Sequence, residues 1–82
     1  MGSASRTKPV NLATKLLSIR VRLGFSQKEL ADQLSFDKVS LRRSDISRYE
    51  LGLREPSLIV ILRYSRLSKI PVETLIDDDL TL

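Results

Sequence analysis

Apolar residues fall along this chain at helical intervals, interrupted by Gly, Pro and Ser. Leu12, Leu16, Ile19 and Leu23 recur at i, i+4, i+7 and i+11, one stripe of a helix. Pro9 precedes that stripe and Gly24 stands at the expected C′ position, so the first helix should span about Val10 to Leu23. Ser26 then has the character of an N-cap, Glu29 completes a capping box, and Phe25 and Leu30 occupy the N′ and N4 positions of a hydrophobic staple. The second helix buries Leu30, Ala31 and Leu34 and ends near Leu34.

The next interval, Ser35 to Arg43, contains neither Gly nor Pro. Phe36, Val39 and Leu41 can tuck against the core as a structured loop, and Ser40 or Ser44 can cap the helix that follows. That third helix carries Ile46, Tyr49 and Leu53 at i, i+3 and i+7, with Gly52 as its stop. Pro56 and Ser57 open a fourth helix, whose spacing turns Leu58, Ile61, Leu62 and Ser65 inward. Pro71 sits at an N1-like position before a short last helix with Val72, Leu75 and Ile76. The pattern is all-α, five short helices with no repeats or low-complexity tracts.

A chain of 82 residues makes one domain. Residues 1–9 read as a flexible N-terminal tail, whose first residues have the character of an appended remnant, 10–76 as the folded domain and 77–82 as an acidic C-terminal tail. Cys and His are both absent, which removes the usual zinc, thiol and imidazole chemistry. The longest apolar run, Leu58 to Leu62, falls far short of the roughly 20 residues that cross a bilayer. With no signal peptide visible, the expectation is a soluble, cytoplasmic protein.

Net charge is +4, but Asp77, Asp78 and Asp79 conceal a more basic body. All 14 basic residues and only six acids fall between Arg6 and Lys69, a net +8 for that stretch. Such a body attracts polyanions through counterion release, although charge alone is equally compatible with a well-solvated surface.

The motif that decides between these readings is distributed. Ser26-Gln27-Lys28-Glu29-Leu30-Ala31, then Ile46-Ser47-Arg48-Tyr49-Glu50, Gly52, Arg54, Pro56-Ser57-Leu58 and Val72-Glu73-Thr74-Leu75-Ile76 together resemble the phage-repressor (Cro/C1, XRE-type) helix-turn-helix family. The likeness runs from about Leu16 to Ile76. It implies a compact five-helix, lambda-repressor-like bundle whose second and third helices bind double-stranded DNA, the third in the major groove. One departure stands out: the distance from Leu34 to Ile46 exceeds the family's tight turn by about five residues. The extra material either lengthens the recognition helix at its start or forms a loop carrying Lys38, Arg42 and Arg43 toward the DNA backbone.

Arg48 points away from the Ile46/Tyr49 face, with Arg43, Ser44 and Ser47 on or just before the same surface. These four are the base-reading candidates, since Arg bonds bidentately to guanine O6 and N7 and Ser is short enough to reach a base edge. Asp45 either accepts from a cytosine amine or serves as a favourable charge in the first helical turn. The resemblance implies a phosphate contact at Gln27, and Arg54, Arg42 and Lys38 are further phosphate candidates; Lys28 has the character of a solvating residue. In similar proteins the positions of Arg20 and Glu50 pair as a partly buried salt bridge, which makes them structural.

Ile59, Val60 and Leu67 lie off the inward stripe of the fourth helix, an apolar surface suited either to a homodimer on a palindromic operator or to packing against Leu80 and Leu82. A repressor-like regulator working by occlusion is the leading expectation, with an antitoxin or restriction-modification controller, and an interaction adaptor that reads no bases, as alternatives. Nothing pairs a nucleophile with a base, and no metal, cofactor or small-molecule ligand is called for.

Overall fold

The computed structural model describes residues 9–82. Five helices make up the described chain: α1 (Leu12–Leu23), α2 (Gln27–Leu34), α3 (Arg43–Glu50), α4 (Leu58–Ser68) and α5 (Val72–Ile76). Helix α1 packs on α3, α4 and α5, while α2 packs on α3 and α4. Leu16, Ile19, Leu30, Leu34, Ile46, Tyr64 and Leu75 meet in one solvent-excluded core, closed at its edges by Leu23, Phe25, Val39, Leu41, Leu67, Ile70, Val72 and Leu82. No described helix is long and apolar enough to cross a membrane.

Local chemistry explains most helix ends. Gly24 adopts a left-handed φ of 75° and lets the N–H groups of Gly24 and Phe25 reach back to the carbonyls of Val21 and Arg20. Helix α3 closes in the same way, with Gly52 at φ 73° and bonds from Gly52 and Leu53 to the Tyr49 and Arg48 carbonyls. The capping box at α2 is complete: Ser26 Oγ accepts from Glu29 N at 3.0 Å, and Glu29 Oε1 accepts from Ser26 N at 2.8 Å. Ser57 accepts from Val60 N and opens α4. Pro71 is the N-cap of α5, one position earlier than its sequence context predicts.

Four expectations require correction. Helix α1 starts at Leu12, because the two residues before it are drawn out of the helix toward the far end of the chain: the Asp78 carboxylate accepts from Val10 N at 2.9 Å and from Asn11 N, at the N-cap, at 3.0 Å. Neither Ser40 nor Ser44 caps α3; the cap residue is Arg42, whose N–H donates to Asp45 Oδ2 at 2.8 Å. The phase of α4 also differs. Tyr64, fully buried, is its central anchor, so Val60 and Ile61 face inward beside it and Leu58 is left 86% exposed. Val60 is therefore core, and Leu67 packs against the core, so neither offers the exposed dimer surface expected of them, whereas Ile59 is exposed. Leu53, expected on the buried stripe of α3, lies beyond Gly52 and points to solvent.

The last residues are integral to the bundle. Lys15 is buried among the α1 leucines, and its Nζ donates to the carbonyls of Thr74 at 2.8 Å and Asp77 at 2.9 Å, capping α5. With Asp78 at the start of α1 and Leu82 against the core, the 77–82 segment is tied down at both its first residues and its end. The flexible tail expected over 1–9 lies, apart from Pro9, outside the described residues.

Lys15→Met keeps the apolar stem but strands the two α5 carbonyls, and should lower the unfolding free energy by about 1–3 kcal/mol in urea denaturation. Tyr64 is the opposite case: its buried hydroxyl has no hydrogen-bond partner among the described residues. Tyr64→Phe should therefore leave stability unchanged or raise it by about 1 kcal/mol.

Acid sensitivity follows from the caps. Hydrogen bonds from backbone N–H groups hold Glu29 below its ordinary pKa of 4.5, and Asp45 and Asp78 below 3.8. Because the folded values are depressed, these groups contribute stability that is complete above the ordinary values and disappears as pH falls through the folded ones. The thermal midpoint should be level down to about pH 5 and then drop on acidification, and an Asp78→Asn variant should show a shallower drop.

Candidate nucleic-acid interface

Helix α3 is anchored by Ile46 and Tyr49, both buried against α1 and α2. With that face fixed, the 3.6-residue period turns Arg43, Ser44 and Arg48 outward and leaves Ser47 half-buried between them. These four residues line one shallow concavity of about 440 Å³ together with Gln27, Leu51 and Leu53. The structure thus brings all four base-reading candidates together with the first residue of α2. Among the described residues, the side chains of Lys38, Arg42, Arg43 and Arg48 form no salt bridge or hydrogen bond, so their charges face solvent.

Behind this face lies a network that joins three helices. Arg20 Nε donates to Glu50 Oε2 at 2.7 Å and its Nη2 donates to Oε1 at 3.0 Å, a bidentate pair between α1 and α3. The Glu50 side chain is only 5% exposed. Arg20 Nη1 also donates to the Phe25 carbonyl at 3.1 Å, tying down the start of α2. The bond to Glu50 raises the Arg20 pKa, keeping the guanidinium charged. Gln27 enters the same network, its Nε2 donating to Glu50 Oε1 at 3.1 Å. The Gln27 amide is thereby held in place at the N-terminus of α2, where the first N–H groups lack intrahelical acceptors.

Asp45 is occupied within the protein. Besides the Arg42 N–H, its carboxylate accepts from Arg54 Nη1 at 2.7 Å. Of the two roles open to it, the geometry supports the helix-terminus charge. Arg54, a phosphate candidate, is half exposed beyond this bridge. Lys28 pairs with Asp32 across one turn of α2, a solvent-exposed contact.

The long interval between α2 and α3 forms a loop and does not extend α3. Phe36 and Val39 form an isolated antiparallel bridge, with N···O distances of 2.9 and 2.7 Å, around Asp37 and Lys38. Asp37 takes a left-handed φ of 47°, a conformation that Asp tolerates better than most residues. Ser35 Oγ accepts from Leu41 N at 2.8 Å and closes the base of the loop. Val39 and Leu41 pack on the core as expected. Phe36 instead supports the Arg63 guanidinium, 4.3 Å from its ring centroid, while Arg63 donates to the carbonyls of Leu34 and Gln33 at the end of α2. Lys38 is thus carried at the tip of a braced hairpin, and Arg42 and Arg43 at the junction with α3.

Sequence reasoning did not single out Leu51, which belongs to the same helix face at i+3 from Arg48, although that spacing was available. Lys15, Arg63 and Asp78 had no local signal, since their partners lie between 29 and 68 residues away.

Arg20→Ala removes the partner of a nearly buried carboxylate and should cost about 3 kcal/mol of unfolding free energy. The loss in DNA affinity, corrected for the unfolded fraction, should be smaller; an unchanged melting temperature would contradict the structural role.

Residues 16–75 match the family model described as helix-turn-helix. No curated protein matches the chain. The matched region contains most of α1 from Leu16 onward and the whole of α2, α3 and α4, with the network that joins them, so the chain belongs to the Cro/C1-type (XRE) helix-turn-helix family of DNA-binding regulators.

Proposed function

We propose that this protein is a sequence-specific transcription regulator that reads the major groove of double-stranded DNA with α3, acting in the cytoplasm as a repressor-like homodimer on a palindromic operator. The observation that carries the reading is the exposed face of α3. Arg43, Ser44, Ser47 and Arg48 share one concavity, and the two guanidiniums have no salt-bridge partner among the described residues. Unpaired Arg on a rigid helix suits bidentate recognition of guanine, and the two Ser hydroxyls suit shorter contacts to base edges.

Backbone contacts supply the rest of the affinity. Gln27 and the N-terminal N–H groups of α2 meet one phosphate, and Arg54 meets another from beyond α3. Lys38 and Arg42 extend the contact along the strand from the hairpin. Repression follows from occlusion of the bound site. The exposed apolar residues Leu58 and Ile59, at the start of α4, support association of two copies, whose half-sites would lie about 34 Å apart.

Selection from a random DNA pool, followed by titration against salt, tests the proposal. One enriched, two-fold symmetric motif and an affinity that falls steeply with salt are expected. Arg48→Ala should lose about 1–3 kcal/mol on the selected site and relax specificity at one position, whereas Lys38→Ala should weaken all sequences alike and reduce the salt slope by about one. Absence of any enriched motif at low salt would overturn the reading.

A further inference from the structure

Leu51 is 68% exposed, yet it is not a stray surface leucine. It continues α3 in the right-handed conformation, with φ −89° and ψ −3°, and its N–H donates to the Ser47 carbonyl at 3.0 Å. It therefore occupies the same face as Ser44, Ser47 and Arg48, at i+7, i+4 and i+3 from them, and lines the same concavity. Leu53 also borders that concavity, but the chain turns at Gly52 before it, so Leu53 is off the helical stripe.

An apolar side chain on an otherwise polar reading face has one chemical complement in the major groove. Base edges present donors and acceptors, and thymine adds a 5-methyl group. Three residues of helix advance about 4.5 Å, against about 3.4 Å between successive base pairs. Leu51 therefore stands one or two base pairs from whatever Arg48 contacts. We propose that Leu51 is a specificity-determining residue that packs on the 5-methyl group of a thymine one or two base pairs from the guanine read by Arg48. This rests on the DNA-reading function proposed above and adds a second base type to it, one recognised by burial of a methyl group instead of hydrogen bonding. Among the described residues Leu51 belongs neither to the core nor to its edge, and most of its surface is open to solvent.

The experiment is a methyl scan of the selected site, replacing each thymine singly by deoxyuridine. Wild-type protein should lose about fourfold in affinity at one position of each half-site, the value of one buried methyl-sized group. Leu51→Ala should abolish that thymine-over-uracil preference while keeping its melting temperature, its oligomeric state and the guanine preference that depends on Arg48. Leu51→Met, which retains the apolar reach, should restore most of the preference. Equal thymine-to-uracil ratios for wild type and Leu51→Ala at every position would overturn the proposal while leaving guanine reading intact. A change in oligomeric state in Leu51→Ala would overturn it in favour of a subunit contact. Failure to select any DNA sequence would remove both this inference and the function on which it rests.

Discussion

The orientation of α3 depends on the ion pair between Arg20 and Glu50. Its two nitrogen–oxygen contacts, 2.7 and 3.0 Å, cross from α1 to the end of α3 at a point where the carboxylate is almost excluded from water. A carboxylate in that environment is tolerable only with full hydrogen bonding, and Arg20 and Gln27 together supply three donors. The requirement to satisfy one buried charge thereby ties α1, α2 and α3 into a single geometry. It also separates the basic residues by duty: Arg20 is consumed by the fold, and Arg43 and Arg48 are exposed, with no salt-bridge partner among the described residues.

The hairpin between α2 and α3 answers a different constraint. A tight turn needs no internal support, but a longer connection exposes backbone groups and loses conformational entropy when ordered. Here the chain supplies its own supports, with the Phe36–Val39 bridge at the tip and Ser35 at the base. Arg63 braces it from α4, capping the last carbonyls of α2 and stacking on Phe36. Arg63 on α4 is thus a structural group, and the insertion is braced from outside as well as within.

A third constraint acts at the opposite end of the bundle. With one small core, neither the start of α1 nor the five-residue α5 could rely on local caps alone. Asp78 satisfies the first and Lys15 the second, so the acidic C-terminal segment and a buried lysine close the same seam between the two ends of the domain.

The sequence by itself determined what depends on near neighbours. Helix number, the Ser26–Glu29 box, the Gly24 and Gly52 stops and the inward Ile46/Tyr49 pair are all encoded within a turn or two, where hydrophobic period and capping chemistry act directly. The exposed face of α3 follows from them, because fixing Ile46 and Tyr49 inward leaves Arg43, Ser44 and Arg48 no other direction. Tertiary structure decided whatever required partners far along the chain. The phase of α4 was set by burial of Tyr64 at the centre, which withdrew Val60 and Leu67 from the surface and exposed Leu58. The commitment of Asp45 to Arg54, the bracing of the hairpin by Arg63 and the use of Lys15 and Asp78 as caps likewise depend on packing. Charged side chains of one type look alike in a sequence; only the acceptors that folding brings within about 3 Å distinguish a cation that holds the protein together from one left facing solvent.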